Sequence, residues 1–440
     1  MKQKLLLFIN LFLASAAFSQ DPCSTGRYAS DVYPNVTLNS NIVYGQNMSF
    51  TNQNTSLKLD FYEPSGDTAL SRPLIIWAHG GSFIGGSKTD SDVSSLSQRF
   101  AKKGYACASI DYRLGFFPID SANSVKAVVR AVQDMKAAIR FFYKDRADGT
   151  NLYKIDTNRI YIGGSSAGAI TALHVAYLDS ACKISDYLNS ATIQALGGLE
   201  GASGNPGYSS TVQGVINLCG ALARYSWMEA DDVPLVSVHG TNDGTVKYNR
   251  GVVNPGTPLM YLDGSRMLHE RACALNLDNN FYTFPGAPHV PFAGSSANAV
   301  AYMDTTSNFI RDFLIGQFGC NNALLQPANL PMQTAYLYPI NDCSGNSITD
   351  LCLSSGLEEL NSTSFEMYPN PTSGNISVKH KIQGMVEIAV YDLTGRIVFM
   401  EKSANSTVLL NLNQLKTGTY ILSLKDLATS IISKESIIIE

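Results

Sequence analysis

The 440-residue sequence lacks the features that mark several large classes of protein. Charged residues make up only 15% of the chain and sum to a net charge of −4, so there is no basic excess to attract nucleic acid or an anionic membrane. No hydrophobic run after the N-terminus is long enough to span a bilayer, and no internal repeat is visible. With these classes excluded, the composition indicates a folded globular protein, and the length of the chain predicts two domains.

Motifs for metals and phosphates are also missing. The sequence contains no Cys-x-x-Cys and no Cys/His cluster with zinc spacing. Its glycine-rich segment after His79 does not match the G-x-x-x-x-G-K-[ST] phosphate loop. We therefore expect neither a metal nor an organic cofactor.

The N-terminus has the pattern of a secretory signal peptide, which we assign to residues 1–19. Lys2 and Lys4 precede a short apolar run, and small residues suit cleavage before Gln20. A membrane anchor is the weaker alternative, because the run is short and polar sequence follows at once.

Eight cysteines in an exported chain permit disulfides. Cys343 and Cys352 flank a short polar segment and are the favoured pair. Cys107 and Cys219 instead lie in strand-like apolar runs, which is typical of buried thiols.

Strand-like and helix-like segments alternate up to about residue 318. Apolar residues spaced three and four apart predict a helix from Val125 to Phe142, and further helices follow residue 166 and cover about 300–318. This alternation predicts an α/β fold with a parallel sheet, helices on both faces and ligands at the carboxyl ends of the strands. The strands are predicted at SLKLDFYEP (an edge strand, from Ser56), PLIIWAHGG, GYACASIDYRL, RIYIGG, GVINLCG, PLVSVHG and FYTF.

The remaining residues change character. Residues 321–364 lack periodicity and are predicted to be a linker after a catalytic domain at 20–320. From Phe365 onward, short alternating segments with turn signals such as Asn370-Pro371 predict a small β-sandwich at 365–440.

The segment Gly164-Ser165-Ser166-Ala167-Gly168 matches G-x-S-x-G between a predicted strand and a predicted helix. A nucleophile on such a sharp turn is held in a strained backbone conformation, so the residues two positions away must be small. Ser166 has glycine on both sides at that spacing and is favoured over Ser165, whose flanking residues are Gly163 and Ala167.

A serine nucleophile needs a histidine base and a carboxylate that orients it. Asp243 follows a later predicted strand, and His289 follows another in a Pro/Gly loop, in the chain order serine, acid, histidine. Asp231 and Asp232 precede their strand and are less suitable. The other histidines have other interpretations: His174 packs in a helix and His269 lies on a surface helix. His239 stabilises a turn and His79 braces its loop, while His380 lies in the C-terminal module.

Negative charge that develops on a carbonyl oxygen needs preorganised amide donors. The segment after His79 is rich in glycine and follows an early strand. We expect the amides of Gly80, Gly81 and Ser82 to lie opposite that of Ala167 as an oxyanion hole.

Together, His79-Gly80-Gly81, DYRL from Asp111, GSSAG, HGTND and the late PHV resemble the α/β-hydrolase superfamily. Within it they resemble the carboxylesterase and hormone-sensitive-lipase branch, including feruloyl and acetyl-xylan esterase-like proteins. The resemblance covers residues 40–318 and implies that Ser166, Asp243 and His289 form a catalytic triad. Ser165 departs from the Asp or Glu that often stands there, and Ser82 from a third glycine. Asp111-Tyr112-Arg113 and Asp134 are recurring features of that branch, for which a structural role as an ion pair or a cap is favoured over a catalytic one.

The tail is similar to the C-terminal sorting domain of type IX secretion, on the segments YPNPTSG, VYDLTGRIV, LNQLKTGTYIL and ESIIIE. This resemblance implies export through the periplasm, with the type IX machinery as partner, to the medium or the outer cell surface. A carbohydrate-binding or adhesion module is the alternative, but the available aromatics occupy packed-looking strand positions.

The predicted function is therefore a secreted serine carboxylesterase that forms an acyl-enzyme. Residues 183–211 are glycine-rich and are expected to form a loop over the site rather than a full lid, which favours short-acyl, aryl or polymer-borne esters. The alternatives are a secreted serine peptidase of the same fold and a non-catalytic adhesion protein.

Overall fold

The computed structural model describes residues 26–320, 340–341, 347–348, 365–392, 396–428 and 432–440. The chain divides into two compact units, Met1–Cys352 and Leu353–Glu440. The division falls inside the segment predicted as a linker, and the other domain limits stay predictions. The proposed signal peptide and the Cys343–Cys352 pair lie outside the described residues.

Residues 26–320 contain two sheets. Their strands in chain order are β1 (Val36–Met48), β2 (Asn54–Pro64), β3 (Arg72–Ala78), β4 (Ala106–Ile110), β5 (Ile155–Ser165), β6 (Gly214–Leu218), β7 (Ala221–Leu222), β8 (Leu235–Gly240), β9 (Arg250–Val252), β10 (Tyr261–Gly264) and β11 (Asn279–Phe284). The central sheet has the spatial order β1-β2-β4-β3-β5-β6-β8-β11, and a small sheet has the order β7-β10-β9. From β4 to β11 all strands of the central sheet are parallel, whereas β2 is antiparallel to both of its neighbours.

Helices cover both faces of the central sheet, as the alternating sequence predicts. In β3, Leu74 and Ile76 pack in a core with apolar residues of the second and third helices, whereas Ile75 and Trp77 pack in a core with the first and last helices. Successive side chains of a strand point to opposite faces, so one continuous apolar strand serves both cores. The helices are α1 (Ser91–Lys102), α2 (Ser121–Ala147), α3 (Ala167–Tyr177), α4 (Ser190–Ala195), α5 (Ser265–Ala274) and α6 (Ala297–Gly316).

Two differences from the sequence expectation concern outer elements. The segment at Ser56 is not an edge strand, because β2 lies between β1 and β4 and the unpredicted β1 forms the edge. The helix that carries His269 is not a surface helix, since most of α5, including His269, is buried. Within the described residues, no helix combines the length and apolar character needed to cross a bilayer.

The connections of β3 open a crevice at one edge of the central sheet. After β3 the chain forms β4, which pairs with one side of β3, and the next strand, β5, pairs with the opposite side of β3. Such a change of direction leaves room beyond the carboxyl ends of the parallel strands. The loops after β3, β5, β8 and β11 all begin at this edge.

The second unit consists of two antiparallel sheets that share one apolar core, which confirms the predicted β-sandwich. Ile376 and Leu410 of one sheet lie in the same cluster as Val390, Leu422 and Ile437 of the other. A hairpin in the first unit pairs β12 (Ile340–Asn341) with β13 (Ser347–Ile348). The strands of the second unit are β14 (Glu366–Tyr368), β15 (Asn375–Lys379), β16 (Val386–Tyr391), β17 (Ile397–Ser403), β18 (Thr407–Asn411), β19 (Gly418–Asp426) and β20 (Ile432–Ile439). The sheet orders are β14-β15-β18 and β17-β16-β19-β20.

Candidate active site

Ser166 stands on a sharp turn between β5 and α3. Its backbone has φ +53° and ψ −117°, a region that a residue with a side chain rarely adopts. The glycines two positions away are needed for space: a Cβ at Gly164 would lie 2.3 Å from the carbonyl oxygen of Ala78, and one at Gly168 would lie 1.9 Å from the same atom. The turn can therefore form only with these glycines, and it places Ser166 directly before the first residue of α3.

The neighbouring Ser165 points elsewhere. Its hydroxyl donates a hydrogen bond to the Asp92 carboxylate in the first turn of α1, and its side chain is buried. Of the two serines that the sequence offers, Ser166 is the one that the structure brings next to a histidine.

His289 connects Ser166 to Asp243. Its Nε2 lies 2.8 Å from Ser166 Oγ, and its Nδ1 lies 2.6 Å from Asp243 Oδ2. A carboxylate only accepts hydrogen bonds, so Nδ1 carries the proton and Nε2 is left free to accept the one on the serine hydroxyl. The three residues follow β5, β8 and β11, which are separated by long stretches of chain.

The Asp243 carboxylate is held on both oxygens. Oδ1 accepts the backbone amides of Thr245 and Val246 at 2.9 Å each, and Oδ2 accepts His239 Nε2 at 3.1 Å in addition to His289. Burial alone would raise the pKa of Asp243, but the hydrogen bonds from His239 and His289 outweigh it and hold that pKa well below its usual range. Asp243 therefore stays ionised beside His289.

His239 lies behind Asp243 and is completely buried. Its Nε2 faces two acceptors, Asp243 Oδ2 and the carbonyl oxygen of Val246 at 3.0 Å, so Nε2 carries the proton. Its Nδ1 then accepts the Ser265 hydroxyl at 2.7 Å. The sequence interpretation of His239 as a turn-stabilising residue agrees with this geometry, although the sequence does not reveal the contact with the acid.

Amide donors lie around Ser166. Gly81 and Ser82 have φ of +101° and +56°, and a Cβ at Gly80 would lie 3.4 Å from Ser166 Cβ. Within residues 26–320, the amides of Gly80, Gly81, Ser82 and Ala167 donate to no hydrogen bond. A loop and a helix N-terminus with free amides can accept negative charge on a substrate oxygen.

The loop at Gly80 is braced from beneath. His79 Nδ1 lies 2.7 Å from the carbonyl oxygen of Gly80, and the Tyr112 hydroxyl donates to the carbonyl oxygen of His79 at 2.9 Å. The two rings stack at 4.4 Å. Burial lowers the pKa of His79, which keeps the ring neutral under this loop.

Of the residues given a structural role as an ion pair or a cap, Arg113 and Asp134 form a buried ion pair at 2.8 Å. The guanidinium also donates to Gln133 and Ser203 and so connects α2 to the segment after α4. This arrangement is structural and does not involve the triad.

Two different spaces meet at Ser166. An apolar pocket lies between α2, α3 and the segment 253–262. A wider polar cleft on the other side is bordered by Asp90, Asp92 and His289. Residues that line the apolar pocket include Phe83, Phe116, Val125, Ile170, His174, Trp227, Val253, Leu259 and Met260.

The pocket contains residues that sequence reasoning did not assign to it. His174, interpreted as a packing residue, lines its wall, and its Nδ1 donates to the carbonyl oxygen of Ile170 at 2.7 Å. Of the segment 183–211, only Ile184 and Tyr187 border the pocket. The expected loop over the site is therefore short, and the unpredicted segment 253–262 supplies the opposite wall.

The described residues also bring together one mixed set of metal-ligand atoms. A sulfur of Cys219, a carboxylate oxygen of Asp243 and a ring nitrogen of His289 lie within 4.8 Å of one another. Cys219 is a buried free thiol, as its strand-like sequence predicts, and Cys107 is another.

Family models match both parts of the chain. Residues 59–201 match the model described as BD-FAE, and residues 366–440 match the secretion system C-terminal sorting domain. The first match spans β3, the loop at Gly80 and the turn at Ser166. The second spans the β-sandwich.

Similar proteins are found among curated sequences. Quorum-quenching protein AidA of Acinetobacter baumannii is 29% identical over 30% of this chain and 40% of its own length. Carboxylesterase 3B of Mus musculus is 33% identical over 26% of this chain and 19% of its own length, and gut esterase 1 of Caenorhabditis elegans is 25% identical over 52% and 39%. The chain thus spans between about a fifth and two fifths of the length of these relatives.

Among solved structures, the apo form of Thermogutta terrifontis esterase 2 aligns with a TM-score of 0.48 at 21% identity, over 68% of this chain and 99% of that chain. Its propionate-bound form aligns at 0.45 and 20%, over 69% and 100%. The matched family models and the strand order of the central sheet agree with the resemblance to α/β-hydrolases and to a sorting domain that the sequence motifs indicate. The chain is therefore similar to α/β-hydrolase esterases over residues 59–201, where the BD-FAE model matches, and to the secretion system C-terminal sorting domain over residues 366–440.

Proposed function

We propose that the first unit is a serine carboxylic-ester hydrolase with Ser166, His289 and Asp243 as its triad. The observation that carries this proposal is the pair of contacts made by His289, 2.8 Å to the serine hydroxyl and 2.6 Å to a buried carboxylate. A neutral imidazole held between a hydroxyl and a carboxylate can remove the hydroxyl proton and stabilise the resulting positive charge.

In the first half-reaction, Ser166 Oγ attacks the ester carbonyl carbon while His289 Nε2 takes its proton. Asp243 keeps the ring in the required tautomer and stabilises the imidazolium. The alcohol then leaves with the proton from Nε2, which produces an acyl-enzyme on Ser166.

In the second half-reaction, water attacks the acyl-enzyme by the same route and the acid is released. The free amides of Gly80, Gly81, Ser82 and Ala167 are the candidate donors to the negatively charged oxygen in both steps. Each such donor typically contributes about 3 kcal/mol to the lowering of the barrier.

The two spaces at Ser166 suggest how an ester is oriented. The apolar pocket suits the acyl group, because its wall is mostly aliphatic and aromatic. The open polar cleft suits the alcohol, including an alcohol carried on a polymer. We therefore propose short-acyl, aryl or polymer-borne esters as substrates; faster hydrolysis of long-chain triglycerides than of acetyl or butyryl esters would contradict this assignment.

The sorting domain supports export by the type IX route. We propose that the enzyme acts in the medium or on the outer cell surface after passing through the periplasm. We also propose that disulfides form in the exported chain, because the compartments outside the cytoplasm are oxidising.

A fluorophosphonate probe tests the proposed nucleophile directly. The full chain should be labelled at Ser166, the label should be lost in Ser166→Ala, and Ser165→Ala should keep it as a matched control. A panel of esters and aminoacyl amides then separates an esterase from a peptidase. Labelling that persists in Ser166→Ala, or a folded protein that hydrolyses none of these esters, would overturn the proposal.

A further inference from the structure

Cys219 occupies an unusual position beside the proposed triad. It directly follows β6 and has φ +55°, a left-handed conformation that residues with a side chain seldom adopt. Its sulfur lies within 4.8 Å of a carboxylate oxygen of Asp243 and a ring nitrogen of His289. The proposed esterase mechanism gives this thiol no role.

The surroundings of the thiol are mixed. Burial raises the pKa of Cys219 to about 12, the nearby Asp243 carboxylate adds to the rise, and the backbone amides of Val290 and Gly240 oppose it. Two amides that face the sulfur are favourable to a thiolate. What the site lacks for a stable thiolate is a positive charge between the sulfur and the carboxylate.

The three donors form a set that suits a particular class of cation. Thiolate sulfur, imidazole nitrogen and carboxylate oxygen are the ligands of Zn²⁺, and three protein ligands with one open position are common at zinc sites. The donors follow β6, β8 and β11, which are adjacent in the sheet. His289 and Val290 border the open polar cleft, which provides an entry path.

We propose that Cys219, Asp243 and His289 form an inhibitory site for Zn²⁺, or for another divalent cation that binds thiolates. The inhibitory part rests on the proposed function, because it acts through the triad base. The binding part does not, because it needs only the three donors.

The proton balance explains the inhibition. Cation binding releases the thiol proton of Cys219 to solvent. If the cation takes Nδ1 of His289, the ring proton moves to Nε2, which can then no longer accept the proton of Ser166; if it takes Nε2, the base is occupied directly. In either case the serine is not deprotonated, and one proton is released for each cation bound.

Binding requires a small movement. Metal–ligand bonds of about 2.0 to 2.3 Å place neighbouring ligand atoms roughly 3.3 Å apart or more in a tetrahedral site. Asp243 Oδ2 and His289 Nδ1 are only 2.6 Å apart, so the imidazole must withdraw from the carboxylate. The His289 side chain is 21% exposed and sits on a loop, so it is the ligand that moves, and its contact with Ser166 lengthens.

The experiment uses the full chain, freed of metal with a chelator, and two alanine variants. Cys219→Ala removes the proposed sulfur ligand, and Cys107→Ala removes another buried free thiol, one that lies in β4, as a matched control. Hydrolysis of p-nitrophenyl acetate is titrated with Zn²⁺, and each variant is compared with its own metal-free rate. Co²⁺ is titrated separately, and the thiolate-to-cobalt absorption band is recorded.

We expect Zn²⁺ to inhibit the unmodified protein, chelator to reverse the inhibition, and Cys219→Ala to be roughly 10- to 100-fold less sensitive while Cys107→Ala is unchanged. The cobalt band should appear in the unmodified protein and in Ser166→Ala, and should be absent from Cys219→Ala. Equal inhibition of Cys219→Ala, or no cobalt band in a folded protein, would overturn the proposal. If no hydrolysis is detected in any sample, the proposed function fails, and the cobalt band still decides whether the site exists.

Discussion

At the scale of single residues, Asp243 has the largest number of partners in the site. Two backbone amides and two histidines donate to its carboxylate. Such a cage keeps the carboxylate ionised and fixes its direction. Protonation of Asp243 should consequently make no contribution to the acidic limb of a pH–rate profile.

We predict that Asp243→Asn lowers kcat/KM for p-nitrophenyl acetate by roughly 10⁴-fold, because an amide in place of the carboxylate favours the wrong tautomer of His289. Asp231→Asn is the matched control, since that carboxylate is exposed and lies before β8. The control should retain its rate. A rate in Asp243→Asn within tenfold of the unmodified protein would show that this carboxylate does not orient the base.

Residues of the site differ in how well the sequence predicts them. The serine, the acid and the histidine are found from a motif and from chain order at strand ends, and the structure brings them together. The roles of His174 and Cys219 are not visible in the sequence, because each depends on neighbours far away in the chain. A histidine within an apolar helix and a cysteine at the end of a strand both look like ordinary packing residues.

At the scale of elements, the position of the loop after β3 is fixed in part by a hydrogen bond from the Tyr112 hydroxyl. We predict that Tyr112→Phe lowers kcat by about 3- to 10-fold with little change in KM, since the loss of one positioning hydrogen bond to the His79 carbonyl is worth about 0.5 to 1.5 kcal/mol. Steady-state kinetics on a short-acyl ester measures both constants.

The control for this prediction is Tyr105→Phe. The Tyr105 hydroxyl is buried and has no hydrogen-bond partner in the described part of the chain, so its removal should leave kcat unchanged. If the two variants behave alike, the brace under the loop has no kinetic role.

The elements themselves are predicted unevenly. The parallel strands and α2 follow directly from continuous apolar runs and from helical spacing. The outer strand β1 is missed because most of its residues are exposed and the polar run from Asn39 to Asn41 interrupts its apolar positions. The pocket wall at 253–262 has little regular structure, so no periodicity marks it, although it shapes the site as much as α2 does.

At the scale of the whole molecule, two buried histidines make stability depend on pH. Burial lowers the pKa of His174 and of His269 to about 4 in each case, against the ordinary 6.5. Both are neutral in the fold, whereas the unfolded chain takes up protons below pH 6.5. The free energy of unfolding should therefore decrease as the pH falls from about 6.5 towards 4, by about 2 kcal/mol per histidine between pH 7 and pH 5.

Thermal unfolding at the two pH values measures this effect. His269→Gln keeps a polar side chain near Asn279 and has no imidazole to protonate, so the difference between its unfolding temperatures should be smaller than in the unmodified protein. An unchanged difference would mean that His269 is already protonated in the fold or reaches water there.

The two compact units should also be separable by function. All residues of the proposed triad and of the apolar pocket lie in the first unit, so a chain that ends at residue 364 should keep its kcat/KM on short esters. In a host with type IX secretion, the same truncation should leave the enzyme inside the cell. Export of the truncated chain would show that the sorting domain is dispensable, and loss of activity would show that the catalytic unit needs it.

The position of β11 in the sheet affects how the proposed hydrolytic activity is lost on warming. This strand lies at the opposite edge of the central sheet from β1 and pairs only with β8, yet the loop that follows it carries the proposed base. The proposed nucleophile and acid instead follow β5 and β8, each of which has a neighbouring strand on both sides. Fraying at that margin would withdraw the base while most of the sheet stays intact, so warming should silence hydrolysis at a lower temperature than the one at which the protein unfolds.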